Sequence, residues 1–366
     1  MLINNDLKNK NHEKYKSIQM IRGVAICIIV LSHINPSEKI EFDLLGTVGV
    51  SLFIAISGIM DGLKDNTITC GMTQFDNEKL FDIFLKRIKK LYPLHILTFL
   101  FSIPLVVFHR EFSNIGSAII VGIINLFCLQ SWVPLKSVYF SYNSVSWYLT
   151  LVFYITFVHW MLKKFNGIKL QRKVYSLLIL VLILVWNAIF IFFKPENLHW
   201  YIYIFPGCRV LEYLLAYSFV AWFKDTSKQT LKSSLLFSSV LLICLTFLCF
   251  FVVDNPWFYA VVWVIPSIVF VSSCALLEKK IIKEIGNNLF LVIGDYSLAI
   301  FLLHQLIIKY TFSFLHLLGM RREPFKSIFC LLNIMIVITI YYITQRFIFP
   351  RLKTSNKRKI FQGEKK

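Results

Sequence analysis

The run MIRGVAICIIVLSHI, residues 20–34, is apolar enough to enter lipid as a helix, yet it holds Arg22 near its start and His33 near its end. An ionised arginine within a span costs about 2.5–3.5 kcal/mol even on lenient insertion scales, so such a residue faces a partner or a cavity. The rest of the chain decides that this run is a membrane helix. Of 366 residues, 57% are hydrophobic and only 16% charged, with mean hydropathy +0.66. A soluble domain is about a quarter charged. The apolar residues fall in blocks of roughly twenty, the length that crosses a hydrocarbon core of about 30 Å. The sequence predicts an all-α, polytopic membrane protein.

The net charge of +19 does not point to nucleic acid, because the basic residues sit in short segments between the apolar blocks instead of forming one patch. Seven of the eight cysteines lie in or beside apolar blocks, and no spacing reads as a disulfide framework or a metal site. No small-residue cleavage site follows Ile34, so the first block reads as a retained helix.

Eleven apolar blocks run roughly over 17–35, 44–63, 91–109, 115–133, 145–163, 174–193, 200–223, 233–253, 257–277, 289–309 and 327–349. If all eleven crossed, the basic segment 163–173 would lie on the side opposite the basic N-terminus, against the positive-inside rule. The weakest block, 115–133, carries Gly116, Gly122, Asn125, Gln130 and Ser131. Read as a re-entrant or interfacial segment, it leaves about ten spans with both termini cytoplasmic. The inner segments then hold 28 Lys and Arg against 8 outside, including an outer cluster of Arg321, Arg322 and Lys326. Basic cytoplasmic tails, 1–16 and 350–366, flank a single transmembrane unit, 17–349.

Arg22 and His33 are eleven residues apart, three turns plus about 20°, so they share one helix face at levels roughly 16 Å apart. The plain alternative is that Arg22 snorkels to the inner headgroups and His33 rests in the outer interface. In FPGCRVLEYLLAY (205–217), Arg209 and Glu212 stand three apart and can neutralise each other. In GDYSLAIFLLHQLI (294–307), Ser297 and His304 share a face, with His304 expected at the level of His33. His95, His109, His159, His199 and His316 lie near span ends and read as interface residues. FDIFLKRIKKLYP (81–93) is amphipathic, suited to anionic lipid or to a mouth that collects a phosphorylated ligand.

In this order, these stretches resemble the acyltransferase 3 family of membrane acyltransferases. Arg22 and His33 match its Arg-x10-His motif, and GTVGVSLFIAISGI (46–59) is similar to its second-span pattern. KRIKKLYPLH (86–95), RVLEY (209–213) and IGDYSLAIFLLH (293–304) resemble three further motifs. Arg87 and Lys90 stand where an Arg pair is frequent, and WYLTLVFY (147–154) lacks a carboxylate that many members place there.

The resemblance implies transfer of an acyl group, usually acetyl from acetyl-CoA, to a sugar hydroxyl of an envelope polysaccharide, lipopolysaccharide or lipid-linked saccharide at a bacterial inner membrane. Arg22, with Arg87 and Lys90, would hold the donor. His33 would act as general base or as acyl carrier, supported by Arg209, Glu212, Ser297 and His304. No metal is implied. The competing expectation is a transporter or flippase whose histidines relay protons and whose arginines hold an anion. A receptor or assembly partner without catalysis is a third.

Overall fold

The computed structural model describes residues 15–34, 44–68, 77–164, 171–223, 226–251, 255–278, 289–319 and 335–336. Every regular element among them is helical. α1 (Lys16–Ile34) and α2 (Leu45–Ile68) form an antiparallel pair, followed by α3 (Asn77–Phe108) and the short α4 (Ile115–Leu126). An irregular stretch with one helical turn, α5 (Lys136–Tyr139), leads to α6 (Trp147–Lys164) and α7 (Arg172–Phe193). A π-helical turn, Trp200–Ile204, enters α8 (Pro206–Phe223). The chain continues through α9 (Lys228–Leu248), α10 (Val261–Leu276), α11 (Leu289–Asp295) and α12 (Ser297–Leu317).

Nine of the described helices are long and apolar enough to cross a membrane. The eleventh block, 327–349, lies outside the described residues except for 335–336, as does the Arg321, Arg322 and Lys326 cluster. α4 has twelve residues, about 18 Å of helix, too short to cross. α2 is the most enclosed span, and α7 and α9 the least. α9 presents Leu236, Phe237, Val240, Ile243 and Phe247 outward, an apolar face that only lipid solvates well. The block expected at 289–309 is two helices, broken at Tyr296, and the second continues to Leu317.

Glycines let helices approach closely at the α1–α11 and α2–α8 contacts. A Cβ on Gly294 of α11 would run into the Gln19 carbonyl of α1, and one on Gly23 into the Phe290 carbonyl. At Gly58 and Gly62 of α2, a Cβ would stand 2.5 Å from the carbonyls of Tyr213 and Tyr217 in α8. Backbones approach closely there because lipid supplies no hydrophobic drive between helices and packing must.

The broken backbone of 125–146 is tolerable because the protein satisfies it. His95 Nε2 donates to the Asn125 and Leu126 carbonyls (3.1 and 3.2 Å), and Tyr92 Oη to that of Leu126 (2.7 Å). Thr150 Oγ1 donates to the Cys128 carbonyl (2.7 Å) and Trp200 Nε1 to that of Ser131 (2.9 Å). His95 is therefore a buried structural donor, not the interface residue its position suggested.

Replacing Gly294 with Leu should destabilise the protein by at least about 1–3 kcal/mol, the usual cost of overpacking. Gly116→Ala, whose Cβ meets its nearest neighbour, Asn114 Oδ1, at 3.4 Å, should be neutral. Thermal unfolding of the two variants in detergent, followed by size-exclusion chromatography, checks this; equal melting temperatures would refute it.

Candidate active site

At the end of the bundle where α1 finishes, a cavity of about 550 Å³ opens between α1, α2, the α5 region and the Glu196–Tyr203 turn. His33 is exposed on its wall, three turns from Arg22 as the spacing predicts. Behind His33, in α12, lies His304, fully buried, with ring centroids 5.1 Å apart. The two imidazoles that the sequence put at one depth are in contact. The cavity is further walled by Lys136, Tyr139, Trp147, Glu196, Asn197 and Tyr203, and by His199. Burial, helped by the nearby Lys136 and Arg209, pushes the His199 imidazole down to about 4, so it is neutral at pH 7. His199 packs edge-on against Tyr259 at 5.0 Å.

Toward the opposite end, Arg22 Nη1 donates to Gln19 Oε1 (3.1 Å), and Gln19 Nε2 donates to Asp295 Oδ1 (2.6 Å). This chain of bonds spans the α1–α11 contact that the two glycines permit. Arg209 is fully buried, paired with Glu212, and lies over the Tyr203 ring at 5.1 Å. Its Nη2 reaches Ser51 Oγ at 3.5 Å. The pair is therefore separated from the cavity by Tyr203. Ser297 lies two turns, about 10 Å, from His304 along α12. Tyr148 is buried within electrostatic reach of Arg22, Arg87, Arg209 and Glu212. Its ring touches Phe301 (5.2 Å), which touches His304 (6.1 Å).

A family model for the acyltransferase domain matches residues 15–344, nearly the whole chain and every element just described. The chain belongs to the acyltransferase 3 family. A relative, acyltransferase MdmB of Streptomyces mycarofaciens, is 23% identical over 279 residues, covering 73% of this chain and 69% of the relative. No solved structure matches it. The protein is a multi-pass membrane acyltransferase.

The sequence reading of this acyltransferase missed a second polar cluster, at the end where α1 begins. Tyr213 Oη donates to Asp61 Oδ2 (3.1 Å) and shares a hydrogen bond with His159 Nδ1 (2.8 Å). Tyr217 Oη donates to Asp65 Oδ2 (2.9 Å), and Lys163 pairs with Asp65 Oδ1 (2.9 Å). Arg87, expected to be a donor-binding residue, reaches Asp61 at 3.7 Å and donates to Thr156 Oγ1 at 2.9 Å. Lys86, Lys89 and Lys90 remain exposed beside it. A signal was present: Asp61 and Asp65, His159 and Lys163, and Tyr213 and Tyr217 are each four residues apart on helices, and each pair shares a face. His159 belongs to this network, not to the interface. The cavity residues Lys136, Glu196 and His199 had no such signal, because loops bring them together.

Removing Glu212 alone leaves a fully buried guanidinium unpaired, a loss of about 3–5 kcal/mol. Glu212→Leu should therefore melt far below the wild type, and the double variant Arg209→Leu/Glu212→Leu should recover most of that loss. Differential scanning fluorimetry in detergent tests it; a double variant no more stable than the single one would refute the pairing.

Proposed function

We propose that this acyltransferase moves an acyl group, in the simplest case acetyl, from coenzyme A to a sugar hydroxyl of an envelope glycan or lipid-linked saccharide. The observation that carries the reading is His33, exposed on the wall of one cavity, with Arg22 about three turns away on the same helix face, toward the other end of the bundle. The 28 to 8 distribution of Lys and Arg supports a cytoplasmic basic end and cytoplasmic termini, in the inner membrane of a bacterium. The exposed Lys86, Lys89 and Lys90 suit the phosphates of a coenzyme A thioester. Arg22 and Arg87 extend that positive lining inward, and an exchange of Arg87 from Asp61 to a donor phosphate fits its half-buried position.

In the cavity, an acceptor hydroxyl is too weak a nucleophile at neutral pH, and a positioned imidazole contributes typically 10²–10⁴-fold by taking its proton. His33 takes the hydroxyl proton as the oxygen bonds the acyl carbon. The carbon–sulfur bond then breaks, and the departing thiolate receives the proton from His33. The open side of the cavity, with Lys136, Glu196 and Asn197 at its polar positions and Trp147 and Tyr203 as flat apolar walls, suits a saccharide that offers both hydroxyls and C–H faces.

A deletion host complemented with wild type, His33→Ala or Arg22→Ala at matched membrane levels tests the reading. Wild type should restore acyl esters on the glycan fraction. His33→Ala should lower transfer by about 10²–10⁴-fold, and Arg22→Ala should raise the donor KM. A wild type that adds no acyl group while the deletion still alters the envelope would favour transport instead.

A further inference from the structure

The contact of His33 with His304 carries an inference that deepens the acyl-transfer reading and rests on it. His304 Nδ1 lies 3.0 Å from the Ile300 carbonyl one turn back in α12. A carbonyl oxygen only accepts, so Nδ1 carries the proton. The ring is fully enclosed, and its ionisable neighbour among the described residues is His33, not a carboxylate. An unpaired charge there would be costly, so the imidazole is neutral and its Nε2 holds a bare lone pair. That nitrogen is buried and has no hydrogen-bond partner among the described residues. A buried acceptor left unsatisfied costs about 1–3 kcal/mol, and the polar ring beside it is that of His33, 5.1 Å between centroids.

We infer that His304 is the positioning residue for His33: its Nε2 accepts one N–H of the His33 ring and so turns the other, unprotonated nitrogen toward the cavity. His33, exposed to the cavity, has room for the small rotation that closes the bond, and such bonds commonly tighten when a substrate arrives. The neutral His33 ring carries one proton, and the hydrogen bond to His304 decides which nitrogen keeps it. When the acceptor hydroxyl gives its proton to the open nitrogen, the charge on His33 strengthens the N–H bond to His304, as a charge-assisted bond does. The proton then leaves with the thiolate, and the pair returns to its starting tautomers. In this arrangement His304 cannot donate to an oxyanion, because its one N–H is committed to Ile300.

The test uses the purified full-length protein in detergent as wild type, His304→Gln and His304→Leu. Gln keeps an amide oxygen that accepts a hydrogen bond, and Leu keeps bulk without an acceptor. Diethyl pyrocarbonate attacks an unprotonated imidazole nitrogen, and mass spectrometry of the peptide containing His33 follows that reaction without any acyl transfer. His33 should react more slowly in His304→Leu than in wild type, and Gln should restore the rate. In turnover, His304→Leu should lose about 10–100-fold in kcat, the value of one hydrogen bond to a charged group, with the donor KM unchanged and with Gln again restoring most of it. A His33 that is carbethoxylated as fast in His304→Leu as in wild type overturns the inference, as does a Gln variant no better than Leu. If wild type transfers no acyl group, the functional reading fails, and the labelling comparison still decides the histidine pair.

Discussion

Everything polar in this bundle is governed by the lack of bulk water at its depth. A carbonyl freed by a broken helix, or a guanidinium inside a span, must find its partner within the protein. The consequences are visible in two places that share no residues. The stretch after α4 keeps its irregular course because His95, Tyr92, Thr150 and Trp200 arrive from other helices to meet its carbonyls. Arg209 is held at zero exposure because Glu212 is one turn away and Tyr203 covers it. The first arrangement gives the cavity a wall that is not a helix. The second buries an ion pair behind Tyr203, at another wall of the same cavity.

The architecture was legible because lipid reads sequence coarsely. Block length, block hydropathy and the uneven distribution of Lys and Arg each follow from one physical requirement, and together they gave the long apolar helices of the described residues and singled out 115–133. The face shared by Arg22 and His33, the Arg209–Glu212 pair and the common depth of His33 and His304 were also legible, since helical geometry alone relates them. Depth converted to contact for the histidines because α1 and α12 are neighbours, a fact that spacing does not contain. The break at Tyr296 did not show at the level of blocks, because 289–309 keeps the length and hydropathy of one span even though Gly294, Asp295 and Ser297 flank the break.

What stayed hidden was hidden for two different reasons. Asp61, Asp65, His159 and Lys163 lie where spans meet the aqueous side, and charged residues there are ordinary, so their pairing by fours drew no notice. Tyr148 lies in a stretch with no carboxylate, and the arginines within its electrostatic reach sit on three other helices, which the sequence does not relate to it. Lys136, Glu196 and His199 come together through loops, and no periodicity governs loops.

The cavity is therefore assembled from two kinds of material. His33 and His304 ride on packed helices, where most substitutions disturb several neighbours at once. Lys136, Tyr139, Glu196 and Asn197 belong to connecting segments, and in the first of these the Cys128 and Ser131 carbonyls are met by Thr150 and Trp200 and not by the cavity side chains. Divergence among related chains has an easy route here: the outer wall can be rewritten residue by residue, changing which molecules enter, while the imidazole pair beneath it keeps its register.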